Sequence, residues 1–172
     1  LKKVKGESEF KYRIFTFFLE YGVIMRNIGL GFLADKIFDP IHAVFGRSHR
    51  FFISGGAPLK DKYRKYYKSM GFNLVEGYGL TETTGPITLP DVKHNVIGSV
   101  GPATPGNESK IKNINEDGIG EVWFRGDSVM KGYYDNPEAN KEVFDKEGFF
   151  NTGDLGRIDK KGNIFLTGRV KN

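Results

Sequence analysis

Residues 76–83 read Glu-Gly-Tyr-Gly-Leu-Thr-Glu-Thr. Tyr78 lies between Gly77 and Gly79, and a ring flanked by glycines can lie flat against a planar group, because backbone can approach it closely. Thr81 adds a hydroxyl and a backbone N–H in a loop able to cradle phosphate oxygens. Glu82 is a hard oxygen ligand, suited to Mg²⁺ bridging phosphates. Stacking, phosphate contact and metal in one run make a nucleotide site in miniature. The octamer reads equally well as a glycine turn with a packed tyrosine and a surface glutamate, and by itself it favours neither reading.

Three other stretches carry candidate chemistry. Ser54-Gly55-Gly56-Ala57-Pro58 offers almost no side chain, so its use would be bare backbone beside a flat ligand such as a purine; taken alone, a tight strand-to-helix turn is the simpler reading. Asp154 follows Gly153 near the start of an expected strand, where an ionised carboxylate can accept from two vicinal hydroxyls such as a ribose presents. An aspartate in a turn is also very common. Arg169 follows Gly168 after another expected strand, as a phosphate or ribose partner or as an exposed cation. His42, His49 and His94 lack metal-ligand spacing and read as core or surface histidines. Phe10, Phe15, Phe17, Phe18, Phe51, Phe52 and Trp123 read as core. Lys60, Lys62, Arg64, Lys65 and Lys68 read as the solvated face of a helix.

The elements that must position these residues follow from periodicity. Residues 10–45 predict two helices, with weak breaks at Gly22 and Gly29–Gly31 and with Pro40 as a kink or boundary. The apolar run at 50–54 predicts a buried strand. A helix follows, with Leu59, Tyr63, Tyr66 and Met70 on one face, Pro58 at its first position and Gly71 at its C-terminal cap. Residues 72–76 predict a second short strand. Strand, glycine turn, helix and strand make a parallel βαβ unit, so the fold class is α/β. Both glycine-rich loops then leave the same edge of the sheet, where open α/β sheets bind ligands. After about residue 95 the texture becomes β-rich. VIGSVG, SKIKNI, GEVWFRG, DLGRID and NIFLTG predict short strands, with turn chemistry at NEDG and DKKG. Asn136, Pro137 and Glu138 signal one short helix. Residues 96–169 thus form a small β-rich subdomain, read as a distorted barrel.

Composition bounds the rest. The chain has 172 residues, 38% hydrophobic and 27% charged, which suffices for a packed core. The absence of cysteine excludes disulfides and thiolate metal sites and fits a reducing compartment, with a cytoplasmic setting as the expectation. A net charge of +5 favours polyanionic ligands, although a plain solvated surface explains it more simply. Glu20, Arg26, Asp35 and Lys36 interrupt the apolar segment 14–38, so no transmembrane helix is expected there. Peripheral contact of residues 14–33 with a bilayer is weighed below plain core packing.

Each motif is weak by itself, but their order and spacing are not. FISGGAPL, EGYGLTETTG, IGSVGPATPG, GEVWFRGDSVMKGYYDNPEAN, GFFNTGDLGRID and NIFLTGRVKN together resemble the adenylate-forming (AMP-binding) enzymes, and within them most of all bacterial long-chain fatty-acid–CoA ligases. The resemblance covers about residue 8 to the end. It implies that residues 1–95 are an α/β segment of the large adenylation domain, that 96–169 are its β-rich subdomain, and that 170–172 begin a hinge to a C-terminal lid. It implies that Tyr78 stacks on adenine, that Thr81 contacts the α-phosphate and that Glu82 helps hold Mg²⁺. Gly55, Gly56 and Ala57 match backbone lining the adenine and acyl side, with Gly77 and Gly79 beside it. Asp154 matches the residue gripping the ribose hydroxyls, Arg169 lies near the ribose, and Glu76 sits where a polar group meets the adenine amine.

The implied reaction joins a fatty acid to CoA in two steps. The carboxylate attacks the α-phosphorus of ATP, pyrophosphate leaves, and the CoA thiol then attacks the acyl-adenylate. Two anions meet in the first step, so charge neutralisation and positioning should dominate, with Thr81 and Glu82 as the catalytic candidates. The family's upstream lysine-containing phosphate loop and its C-terminal lid lie outside these 172 residues, so this segment by itself is expected to be inactive. Asn172 stands where the family usually has aspartate and is assigned no role. Two alternatives remain: an adenylation domain for an amino or aryl acid, and a non-catalytic nucleotide-binding module. Nothing matches a nucleic-acid-binding module, and the oligomeric state is not legible.

Overall fold

A computed structural model of the chain describes residues 9–170 apart from Arg47, Arg50 and Lys93; Lys171 and Asn172, expected to begin a hinge, lie outside the described residues. Two short strands, β1 (Phe51–Ser54) and β2 (Asn73–Glu76), pair in parallel as the βαβ reading requires. The chain divides into two compact units at this segment: Leu1–Phe52 with Leu59–Leu74, and Ile53–Pro58 with Val75–Asn172.

Among the described residues the first unit is built on three helices, α1 (Glu9–Asn27), α2 (Gly31–Phe45) and α3 (Asp61–Ser69). Leu19, Ala34 and Phe38 form its core, and Phe15 meets Phe38 edge-on at 5.4 Å. Phe38 is fully buried, which contributes about 1.5–3 kcal/mol. Gly22 does not break α1. It is instead where α3 approaches, since a Cβ there would stand 3.0 Å from Cβ of Ser69. The buried Ser69 hydroxyl donates to the Leu19 carbonyl at 2.8 Å. Pro40 lies inside α2 without ending it. α3 starts later than expected, at Asp61 with Lys60 as its cap rather than with Pro58 at its first position. Gly71, at φ +88°, closes the helix end as predicted, its N–H donating to Lys68 O at 3.0 Å. The apolar expectations fail in two places: on the helices, spacing shows the apolar stripe but not which stripe is covered, and the strand expected to be buried at 50–54 lies in a two-stranded sheet that leaves Phe51 and Ile53 exposed. Phe10, Phe17 and Phe51 are 71%, 52% and 41% exposed, and Tyr63 on α3 is 52% exposed. Among the described residues no helix is long and apolar enough to cross a membrane.

The second unit holds the β-structure. β3 (Tyr78–Leu80) and β4 (Gly85–Thr88) form an antiparallel hairpin around a 3-10 turn at Thr81–Thr83. β5 (Asn107–Lys112), β6 (Gly120–Gly126), β7 (Phe150–Ile158) and β8 (Ile164–Arg169) form an antiparallel sheet in sequence order. The aromatic and β-branched centre of β6, Val122-Trp123-Phe124, is buried. The turns form where the polar signals stood. Asn115 Oδ1 accepts from the N–H groups of Asp117 and Ile119 at 3.0 Å, and Asp159 Oδ1 accepts from those of Lys161 (2.8 Å) and Asn163 (2.9 Å). VIGSVG is not a strand. Only its end pairs, through single bridges that set residues 100–104 between β4 and β8: Thr88 with Ala103, and Gly101 with Ile164. Hairpin, bridging segment and meander enclose one core of Ile87, Val100, Val122, Phe124 and Ile164. The short helix α4 (Pro137–Val143) begins as predicted, with Asn136 Oδ1 accepting from Ala139 N–H at 3.1 Å.

Candidate nucleotide site

All the candidate site residues belong to the second unit, and the hairpin places the central ones. Gly79 has no alternative: a Cβ there would lie 1.9 Å from the Gly85 carbonyl oxygen of the facing strand. The turn between the strands is held by Thr83, whose buried hydroxyl accepts from Leu80 N–H and donates to the Gly85 carbonyl, each at 2.8 Å. Thr81 is exposed at the start of this turn, and Glu82 is half-buried beside it.

Tyr78 is tethered at both ends. Its backbone N–H donates to Thr88 Oγ1 at 3.2 Å, and its hydroxyl donates to Asp154 Oδ2 at 2.5 Å across 76 residues of sequence. Phe124 lies near its ring, with centroids 6.2 Å apart and planes tilted by 32°. Burial, reinforced by the Asp154 carboxylate, pushes the Tyr78 phenol far above its ordinary value. The hydroxyl therefore stays a donor throughout the physiological range. Asp154 is buried in the centre of β7. Its N–H donates to Thr152 Oγ1 at 3.1 Å, and that hydroxyl donates to the Val122 carbonyl at 2.8 Å. Opposite it in the β7–β8 register stands Arg169, whose Nε lies 3.2 Å from Asp154 Oδ1. Each carboxylate oxygen thus has one partner and keeps capacity for another acceptor contact.

The bare-backbone loop arrives beside this group. Gly77 N–H donates to Ser54 O at 2.9 Å, and a Cβ on Gly55 would lie 3.4 Å from the Gly77 carbonyl. Gly55, Gly56 and Ala57 are exposed there. Glu76 is the half-buried last residue of β2, immediately before Gly77. Tyr78, Asp154, Arg169 and the glycine loops are therefore brought together.

Glu82 faces a different neighbour. Tyr133 donates its hydroxyl to Glu82 Oε1 at 3.0 Å, and Met130 N–H donates to the Glu82 carbonyl at 2.8 Å. No described residue donates to Oε2. Burial, then the carboxylate itself, raises the Tyr133 phenol above its ordinary value. Among the described residues no cluster of three or more histidine or acidic side chains could hold a metal. A single carboxylate such as that of Glu82 fits Mg²⁺, which commonly uses one or two protein carboxylates and takes its remaining ligands from phosphates and water. Sequence reasoning missed Thr83, which holds the turn, and Tyr133, which contacts Glu82. Thr83 stood in plain view within the octamer, whereas nothing local links residue 133 to residue 82.

A flat ring beside bare backbone, a carboxylate–guanidinium pair and a separate hard carboxylate are the parts that a nucleoside phosphate requires. The chain matches the model of the AMP-binding enzyme family over residues 15–134, and it belongs to that family. Long-chain-fatty-acid–CoA ligase FadD15 of Mycobacterium bovis is 38% identical over 135 residues, 78% of this chain and 22% of that protein. Long-chain-fatty-acid–CoA ligase 2 of Schizosaccharomyces pombe is 35% identical, with 100% of this chain and 27% of that protein covered. The chain thus spans about a quarter of the length of these curated relatives. Among solved structures, apo MatB from Rhodopseudomonas palustris superposes with a TM-score of 0.64 at 39% identity, over 71% of this chain and 26% of that one. O-succinylbenzoate Coenzyme A synthetase (MenE) from Bacillus subtilis, in complex with AMP, gives 0.67 at 26% identity, over 78% and 30%.

Proposed function

We propose that this chain supplies the adenosine- and α-phosphate-binding part of an ATP-dependent ligase that activates a long-chain fatty acid as its acyl-adenylate and transfers it to CoA. The observation that carries the reading is the Tyr78–Asp154–Arg169 array standing beside the Gly55–Gly77 backbone contact. In this reading the Tyr78 ring stacks on adenine, its orientation held by the hydroxyl tether, while the exposed backbone of residues 55–57 borders the base. Asp154 accepts from the ribose hydroxyls through the lone pairs that Tyr78 and Arg169 leave open. Thr81 meets the α-phosphate from the start of the 3-10 turn. Glu82 would hold Mg²⁺, which when bound offsets phosphate charge as the carboxylate approaches. Positioning and charge neutralisation are what this chain's residues contribute, and no side chain acts as a covalent nucleophile.

The choice of a fatty acid rests on the named ligases of Mycobacterium bovis and Schizosaccharomyces pombe. A second reading keeps the chemistry and changes the acid, because the structural relatives include a malonyl-CoA ligase and an O-succinylbenzoate synthetase. Acid-dependent ATP–pyrophosphate exchange by the full-length gene product separates the two, run with hexadecanoate, malonate, acetate and an amino-acid mixture beside a Glu82→Ala variant. Exchange with hexadecanoate that collapses in the variant supports the proposal. Exchange only with another acid overturns the substrate, and exchange with none, from a protein that still binds AMP, overturns the ligase.

A further inference from the structure

The segment 130–140 has no assigned part in the chemistry above, yet it is fastened to Glu82 by both backbone and side chain. Met130 N–H donates to the Glu82 carbonyl at 2.8 Å, and the Tyr133 hydroxyl donates to Glu82 Oε1 at 3.0 Å. Tyr133 is in turn clasped by α4. Its N–H donates to Asn140 Oδ1 at 2.7 Å, and Asn140 Nδ2 donates to the Tyr133 carbonyl at 3.0 Å. This two-way pairing fixes the tyrosine backbone against a helix whose first turn is capped by Asn136. The result is a continuous path of hydrogen bonds, from a capped helix through an asparagine and a tyrosine to one oxygen of a carboxylate.

The asymmetry of that carboxylate is the informative feature. Oε1 is occupied by a phenol donor, and no described residue donates to Oε2. A carboxylate held this way cannot rotate freely, so one oxygen faces a fixed direction and remains available to a cation. Mg²⁺ demands near-ideal octahedral geometry and tolerates misplaced ligands poorly. Outer hydrogen bonds that orient a metal-binding carboxylate commonly change metal affinity severalfold or more.

We propose that Tyr133, clasped by Asn140, is a positioning residue that presents Glu82 to the metal through Oε2 alone. The inference rests on the reading of Glu82 as the Mg²⁺ carboxylate. Tyr133 itself touches neither the cation nor the reacting atoms. Asn140 acts one step further out, by holding the tyrosine backbone.

The test uses calorimetric ATP binding by the full-length gene product, once in MgCl₂ and once in EDTA, with the ratio of the two dissociation constants as readout. Tyr133→Phe should shrink that ratio by roughly three- to tenfold, less than the full worth of a hydrogen bond to a charged group, because this bond is exposed and acts on the cation only through Glu82. Affinity in EDTA and thermal stability should stay unchanged, because the ring and its packing remain. Asn140→Ala should move the ratio the same way, and the double variant should lose less than the product of the two single losses, since both act along one path. Glu82→Gln is the reference and should abolish most of the magnesium dependence. If Glu82→Gln does so while Tyr133→Phe and Asn140→Ala both keep the wild-type ratio, the positioning role is overturned and the Glu82 reading stands. A Glu82→Gln protein with the wild-type ratio overturns both.

Discussion

Replacing Asp154 by asparagine keeps the side-chain size and removes the charge, which makes it the sharpest probe of the proposed ribose contact. In the free protein the cost is modest. The Tyr78 hydroxyl would donate to a neutral acceptor instead of a carboxylate, a loss of about 1 kcal/mol from the difference between charged and neutral hydrogen bonds. The Arg169 side chain is 73% exposed, so its ion pair is screened and contributes about 0–1 kcal/mol. Stability should therefore fall by about 1–2 kcal/mol, and the fold should survive. Binding should suffer more. Each of the two bonds from the ribose hydroxyls would fall from charge-assisted to neutral, a loss of about 1 kcal/mol apiece, so ATP affinity should fall by about 10- to 100-fold. The assay is calorimetric titration of the full-length gene product with ATP and with its 2′,3′-dideoxy analogue. Wild type should discriminate strongly between the two nucleotides, and Asp154→Asn should discriminate weakly. Equal discrimination in both proteins, or ATP affinity within twofold of wild type, would refute a ribose contact by Asp154.

Two further perturbations test the frame around the site. Gly79→Ala forces a Cβ onto the facing carbonyl, 1.9 Å away, whereas Gly168→Ala enters open space; the first should lower the melting temperature of the full-length protein clearly and the second should not. Equal melting temperatures would show that the β3–β4 hairpin is not as close as described. Asp145 anchors the entry to β7 by accepting from the N–H groups of Glu147 (2.9 Å) and Phe149 (2.8 Å) and by pairing with Lys112 and Lys110. Burial opposes its ionisation, but Lys112, the Phe149 N–H and Lys110 outweigh it and hold the carboxyl well below the usual range. A depressed folded-state pKa contributes stability above the unfolded value, near 4, that is lost as pH falls. Asp145→Asn should thus destabilise at pH 7, and denaturant unfolding should show the difference narrowing below about pH 4. A gap that is constant with pH would remove the charge from the explanation.

Local chemistry settled a large part of this molecule. The N-cap at Asn136, the stop at Gly71 and the turns at residues 115–118 and 159–162 each depend on contacts within a few residues, and all form where their residue types require. The parallel pairing of β1 and β2 follows equally from a strand, a helix and a strand in succession. What the sequence could not display was any decision made across distance. Pro58 suits a helix start, yet α3 waits until Asp61. VIGSVG has strand composition, but it meets β8 by a single bridge because it is squeezed between β4 and β8. Phe10 and Phe17 carry the composition of a core, and which side of α1 is covered depends on where α2 and α3 lie.

The site divides in the same way. Tyr78, Glu82, Asp154 and Arg169 could be picked out as groups able to hold a nucleotide, because a side chain's chemistry belongs to the residue. Their partnerships belong to the fold. The β7–β8 register puts Arg169 opposite Asp154, and the β3 hairpin brings the Tyr78 hydroxyl to the same carboxylate. Tyr133 reaches Glu82 only because α4 and the Met130 contact return the chain to the turn after β3. Sequence by itself determined which groups were present and the short-range geometry around each. Tertiary structure decided which of them met, because contacts between residues 51 or 76 positions apart depend on packing and register that no local pattern encodes.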